Sequence, residues 1–148
     1  MTVRSSVQAL VLRDRHVLVV VKRDEQGELY VLPGGGQEFG ENLEQAVARE
    51  CWEELGARVR VEGLLTVREF ISDHHPTSTE PHGVHVVNHV FACTLLDEPC
   101  PGHAGDPDQE GVRWLPLEEL PRLRFFPRRL AELLAQGLEV PSYLGDVN

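Results

Sequence analysis

Between Glu28 and Gly56 the chain runs from a strand-like segment through Pro33-Gly34-Gly35-Gly36 into a helix whose apolar face carries acids, and this passage constrains the fold more than any other. Glu28 to Leu32 (ELYVL) reads as a short strand. The proline and three glycines after it suit neither a helix nor an ordinary strand. From Asn42 to about Leu55 the period turns helical, with Leu43, Val47, Cys51 and Leu55 recurring every four residues and Ala46 beside them. Asn42 stands where an N-cap belongs and Gly56 where a helix stops. At about 100° per residue, Glu50 and Glu54 fall inside or at the edge of the apolar stripe, and Glu53 one row away. Acids at i, i+3 and i+4 near a helix C-terminus repel one another and oppose the macrodipole, each at a cost of roughly 0.3–1 kcal/mol. Burial beside the stripe adds a larger desolvation cost. Locally only Arg49 offsets three anions, whereas a divalent cation with a taste for hard oxygen ligands, Mg²⁺ or Mn²⁺, would offset them all. The competing reading is a solvated acidic face.

The rest of the chain reads as one mixed-sheet α/β domain spanning residues 1–148, with 41% hydrophobic residues available for its core. Strands are expected at Ser6 to Leu12, His16 to Val21, Arg58 to Val61, Leu64 to Ile71, Val84 to Leu96 and Val112 to Leu115. Polar loops fill Ser72 to Gly83 and Asp97 to Gln109. Pro116 to Leu120 reads as one helical turn and Pro127 to Gln136 as an amphipathic helix with proline in its first turn. The net charge of −10 repels phosphate backbones, which argues against nucleic acid as a partner. No apolar run approaches the roughly 18–20 residues of a membrane span, and the first residues lack the pattern of a secretory signal. Cys51, Cys93 and Cys100 show no CxxC spacing, which suits packed thiols in a reducing cytoplasm.

Spacing favours the metal cradle over the wet surface. From Gly35 to Ala57 the chain reads GGQEFGENLEQAVARECWEELGA. Glu41 follows Gly35 by six positions, Arg49-Glu50 follows by eight more, and Glu53, Glu54 and Gly56 complete the form GX5EX7REUXEEXGU, where U is a large aliphatic. This resembles the signature box of the Nudix hydrolases, with Cys51 and Ala57 as smaller apolar residues at the two U positions. YVLPGG before the box and VRWLPLEEL after it are similar to family surroundings. The resemblance implies an α/β/α sandwich with a mixed sheet, and Mg²⁺- or Mn²⁺-dependent hydrolysis of a nucleoside diphosphate linked to another group. It implies Glu50, Glu53 and Glu54 as metal ligands with the Gly34 carbonyl, Arg49 as the orienter of the carboxylates and Glu41 as a brace for the loop. Gly35 would allow a tight turn beside Gly36, and Gly56 the helix exit. The general base is either Glu50 or an acid of the late loop, where Asp106, Asp108 and Glu110 stand. Family members are often homodimers, an expectation by analogy.

Outside the box, Lys22 and Arg23 at a strand end, and Arg68, are candidates for substrate phosphate, with Glu110 a further candidate for substrate contact. Six of the seven histidines lie between His74 and His103. His85 and His89, four apart on a strand, stand roughly 13 Å apart, too far to share an ion. They read as cross-strand fillers, and the others as parts of loops. Trp114 and Phe125-Phe126 are expected to pack the C-terminal helix. Subclass markers within the family lean faintly towards an ADP-ribose-like or nucleotide-sugar substrate, because Pro76 lies near the place where such enzymes carry a proline. The alternatives are a (d)NTP pyrophosphohydrolase and a nucleotide sensor that does not cut. A sensor would typically lose box carboxylates, and this chain keeps all of them.

Overall fold

A computed structural model of the chain describes residues 2–101 and 109–148. In chain order the elements are β1 (Val3–Leu10), β2 (Leu12–Arg13), β3 (His16–Asp24), β4 (Gly27–Val31), β5 (Gly34–Gly36), α1 (Leu43–Leu55), β6 (Val59–Ile71), β7 (His85–Leu95), β8 (Gln109–Pro116), β9 (Phe125–Phe126), α2 (Arg128–Gln136) and β10 (Tyr143–Asp146). Short 3₁₀ turns at Ser72–His74 and Leu117–Arg122 complete the set. No helix among the described residues is long and apolar enough to cross a membrane.

The strands form two sheets. One has the order β10-β6-β7-β1-β5, and in the other β3 is flanked by β8 on one side and by β2 and β4 on the other, with β9 beyond β4. Parallel pairs (β1 with β7, β10 with β6, β4 with β9) sit among antiparallel ones, so both sheets are mixed. The two-residue pleat divides each central strand between two cores. Val17, Val19 and Val21 of β3 join Leu10, Val90, Phe125, Leu130 and Leu134 on the α2 side. Leu18 joins Val7, Ala9, Val47, Cys51, Leu55 and Phe91 on the α1 side. Helices on opposite faces of the strand layer make the α/β/α sandwich the sequence led us to expect.

Several details depart from the sequence reading. The three glycines do form a strand, β5, antiparallel to β1 with Gly35 opposite Val7. The two segments flanking Gly63 form one strand, β6, which absorbs the break as register shifts between Val61 and Gly63 and between Leu64 and Thr66. β1 begins at Val3 and ends at Leu10, and residues 12–13 belong to a separate hairpin whose turn places Asp14 and Arg15 at φ of 50° and 58°. Trp114 packs against the α1 cluster, not α2, with the Arg13 guanidinium 4.8 Å over its ring. Phe125 is in the α2 core as expected. Cys51 and Cys93 are buried free thiols, but Cys100 is exposed.

Candidate active site

The acids on α1 owe their positions to strong local signals. Asn42 accepts the Gln45 amide at 2.8 Å while the Gln45 side chain accepts the Asn42 amide at 2.9 Å, a reciprocal cap that fixes where the helix starts. Gly56, at φ 63°, ends it. With both ends fixed, the helix turns Glu54 into the apolar stripe, where it is 4% exposed. The Glu50 side chain is 13% exposed and that of Glu53 36%. A solvated acidic face is therefore excluded for Glu50 and Glu54.

One guanidinium ties the cluster together. Arg49 Nη2 and Nε donate to Glu41 Oε1 and Oε2 at 2.8 and 3.1 Å. Its Nη1 reaches Glu50 Oε1 at 3.0 Å and both Glu53 oxygens at 3.3 Å. Nη2 also donates to the Gly36 carbonyl at 2.9 Å, and Glu41 Oε1 accepts the Glu38 amide at 2.8 Å, so the loop, the strand and the helix are stitched at this point. Hydrogen bonds from Arg49 hold the Glu41 carboxyl below the usual range. Burial pushes Glu50 above it, against the pull of the same arginine. Glu41 and, first among its causes, its hydrogen bond raise the Arg49 guanidinium further above its ordinary value.

The glycine strand completes this arrangement. Ala9 N–H donates to Pro33 O and Gln37 N–H to Ser5 O, which makes Gly35 the residue bonded to β1. The alternation of an antiparallel ladder then turns the N–H and C=O of Gly34 and Gly36 away from β1. On that outer edge Gly34 N–H meets Glu54 Oε1 at 2.6 Å, and Gly36 O meets Arg49. The glycines are needed for close approach. A Cβ on Gly35 would lie 2.5 Å from Glu50 Oε1, and one on Gly34 would lie 2.0 Å from Val7 O. The tight turn expected of Gly35 is thus replaced by an extended strand with a carboxylate laid against it.

The donor set is all oxygen, and Glu38, Glu41, Glu50 and Glu53 crowd a single arginine while the Gly34 amide takes Glu54. Among the described residues no three His, Cys, Asp or Glu side chains surround a common ion-sized point, because these carboxylates close on Arg49 and the Gly34 amide instead. Hard oxygens in excess of local cations, one of them raised by burial, fit a hard divalent cation.

Beside β5 opens a cleft of about 520 Å³. Gly34, Gly35 and Gly36 line it, so the α1 acids adjoin the cleft through the edge of β5 and are not part of its lining. Arg4, Ser6 and Gln8 from β1 form part of its lining, with Arg68, Phe70 and Asn88 from β6 and β7. Asn88, 3% exposed, donates to Ser6 Oγ at 2.7 Å and accepts from Arg68 Nε at 3.4 Å. Arg68 Nη1 donates to the Val147 carbonyl at 3.0 Å. Burial lowers the Arg68 guanidinium to about 10, which leaves it charged at neutral pH. Neither Arg4 nor Arg68 forms an ion pair with a described carboxylate. Gln8 Oε1 is buried without a hydrogen-bond partner among the described residues.

Of the substrate-contact residues anticipated from sequence, the structure brings Arg68 to the cleft and leaves Arg23 and Glu110 outside its lining. Those two pair with each other at 2.8 Å on the exposed side of β3 and β8, and the adjacent Lys22 lines the cleft in place of Arg23. Asp106 and Asp108 lie outside the described residues. None of the described loop histidines lines the cleft: His74 and His75 meet Asp146, and His82 meets Asp73. The loop lines the cleft instead through Thr77, Ser78, Thr79 and Glu80. Sequence reasoning missed Arg4, Gln8 and Asn88. The alternation of Arg4, Ser6 and Gln8 with Val7 and Ala9 was the signal available for the first two.

Comparison with known proteins agrees with this geometry. Residues 2–136 match the family model of the NUDIX domain. The chain is 31% identical over 121 residues to an ADP-ribose pyrophosphatase of Methanocaldococcus jannaschii, an alignment covering 81% of this chain and 66% of that protein. It spans 40% to 66% of the length of the first curated relatives it matches. Among solved structures, a MutT NUDIX hydrolase from Burkholderia pseudomallei superposes with a TM-score of 0.70 at 30% identity, covering 88% of this chain and 96% of that one. A NUDIX hydrolase from Nitrosomonas europaea reaches 0.74 at 19% identity, covering 95% and 93%, a likeness of fold. With its glycine strand, its capped acidic helix and a family match over nearly its whole length, the chain belongs to the NUDIX domain family.

Proposed function

We propose that the protein is an enzyme that hydrolyses the pyrophosphate linkage of a nucleoside diphosphate derivative, with an ADP-ribose-like or nucleotide-sugar molecule as substrate and Mg²⁺ or Mn²⁺ as cofactor. The observation that carries the reading is the crowd of half-buried and buried carboxylates meeting the edge of β5, the strand that also lines a cleft with cationic walls. Glu50, Glu53, Glu54 and the outward-facing carbonyl of Gly34 would hold the cation, which when bound neutralises phosphate charge and makes water a stronger acid. Glu50 takes the proton of the attacking water, since burial makes it more basic than an exposed glutamate while the Arg49-bound Glu41 stays ionised. Arg49 orients Glu50 and Glu53, and Glu41 anchors Arg49 to the loop. Arg4, Lys22 and Arg68 receive the phosphates as charge-assisted donors.

What favours an ADP-ribose-like substrate is the archaeal relative named for that activity, together with a cleft large enough for a nucleoside diphosphate and its second sugar. The bacterial relative titled MutT supports a second reading, a (d)NTP pyrophosphohydrolase. Both readings go with a single cytoplasmic domain acting on a small nucleotide, the location being part of the proposal. A panel of ADP-ribose, nucleotide sugars, dinucleoside polyphosphates and canonical and oxidised (d)NTPs, incubated with Mg²⁺ or Mn²⁺, tests this. AMP released from ADP-ribose at the highest kcat/KM is the expected result. Pyrophosphate released from a triphosphate selects the second reading, and no turnover with any of them refutes the activity and leaves a sensor.

A further inference from the structure

The family match stops at residue 136, yet the chain goes on to build a wall of the cleft. β10 runs parallel to β6, with Tyr143 opposite Val67 and Asp146 opposite Glu69. From Asp146 and the two residues that follow it, contacts lead inward. The Val147 carbonyl accepts Arg68 Nη1 at 3.0 Å, a shorter bond than that from Arg68 Nε to Asn88 at 3.4 Å. Asp146 Oδ1 accepts the Ile71 amide at 3.0 Å and faces His75 Nε2 at 2.8 Å, while its Oδ2 faces His74 Nδ1 at 2.6 Å. Asn148 lines the cleft, and its carbonyl accepts the Arg128 amide at the start of α2.

These contacts reach both cationic and loop walls of the cleft. Arg68 is half-buried, has no carboxylate partner among the described residues, and carries a long stem. Such a side chain loses rotamer freedom when it grips an anion unless something already holds its orientation. Val147 does so. His75, fixed by Asp146, stacks on Phe70 with ring centroids 5.3 Å apart, and it stands just ahead of the loop residues Thr77 to Glu80 that line the cleft.

We infer that the C-terminal segment, β10 with the two residues after it, is a positioning element of the nucleotide site: through Val147 it sets the Arg68 guanidinium, and through Asp146 it holds His75 and the loop wall. It governs the hold on the anionic part of the substrate and takes no part in bond cleavage. The inference rests on reading the cleft as the substrate site.

The test is Asp146→Asn, alone and in a His75→Ala background, with kcat and KM for ADP-ribose and thermal midpoints measured for each. Alone it raises KM about five- to twentyfold with kcat within about threefold of wild type, and in the His75→Ala background it adds less than about twofold, as expected when one residue acts through another. An unchanged KM, a fall in kcat matching the rise in KM, or effects that simply multiply would overturn the inference. Should Asp146→Asn fail to fold, His74→Ala removes one contact to the same carboxylate from an exposed position. It raises KM about two- to fourfold, and an unchanged KM counts against the inference in the same way. Turnover by the wild-type protein separates this from the activity reading. If ADP-ribose is not cut, the same variants are compared for ADP binding by calorimetry, where a loss of about five- to twentyfold supports the inference. Unchanged affinity, or a wild-type protein that does not bind ADP, overturns it.

Discussion

The two sides of β5 are opposites. On its outer edge a single guanidinium is shared by Glu38, Glu41, Glu50 and Glu53, so negative charge is in excess and one carboxyl is pushed up by burial. Across the cleft Arg4 and Arg68 face inward with no described carboxylate to pair with. Neither side is balanced by its own neighbours. On the proposed function the acidic side takes a cation and the basic side an anion, the charge pattern of a metal-chelated diphosphate.

The sharpest way to break this contrast is Glu50→Gln. As the proposed base, its loss lowers kcat by about two to four powers of ten. Stability moves the other way. The folded value of Glu50 lies above its unfolded one, so ionising it at neutral pH opposes folding, and the metal-free variant melts higher than the wild type. Adding Mg²⁺ then raises the melting point of the wild type more than that of the variant. A variant that melts lower without metal would mean that Glu50 is a structural ion pair and the acidic side is balanced after all.

Next in size is Gly35→Ala. The new methyl would sit 2.5 Å from Glu50 Oε1, so the carboxylate has to swing away while the strand stays paired. We expect kcat to fall by about ten- to a hundredfold with little change in KM or in far-UV circular dichroism. On the basic side, Arg68→Gln raises KM for the nucleotide about tenfold, the loss of one charge-assisted contact, with kcat nearly kept. Arg23→Ala and Glu110→Ala serve as paired controls, because those exposed partners satisfy each other, and steady-state kinetics should not distinguish either from wild type. The smallest effect is on pH. Hydrogen bonds from the Arg58 side chain and amide hold Asp97 at about 2, below its unfolded value, so its contribution is present above the ordinary carboxylate range and lost as pH falls towards 2. The pair is largely exposed and does not line the cleft. Arg58→Ala therefore shifts the acid-unfolding midpoint only slightly and leaves the kinetics near neutral pH unchanged.

How far the sequence could be read depended on how local the cause was. α1 was legible from Asn42 to Gly56 because the cap, the stripe and the stop all act within a few turns. The box spacing identified the acids for the same reason. β5 was misjudged because glycine propensity argues against a strand, whereas the deciding facts are a backbone oxygen of β1 and a carboxylate of α1 that only folding brings near. Lys22 and Arg23 could not be assigned to faces because HVLVVV is buried on both sides and leaves no polar alternation from which to count. Arg4 escaped notice once the first strand was begun at Ser6. β10 is short, bent at Gly145 with φ 85°, and paired with a strand far back in the chain, so no local pattern announces it.

β1 has one further consequence. It lies between β7 and β5, with Val7 and Ala9 locked into the core beneath α1 and Ser6 and Gln8 facing the cleft on the same backbone. The floor of the cleft thus cannot shift without disturbing the interior packing of the molecule. Adjustment to a bulkier or smaller leaving group would have to come from the rim, where Thr77 to Glu80 form a wall that the dense interior does not anchor.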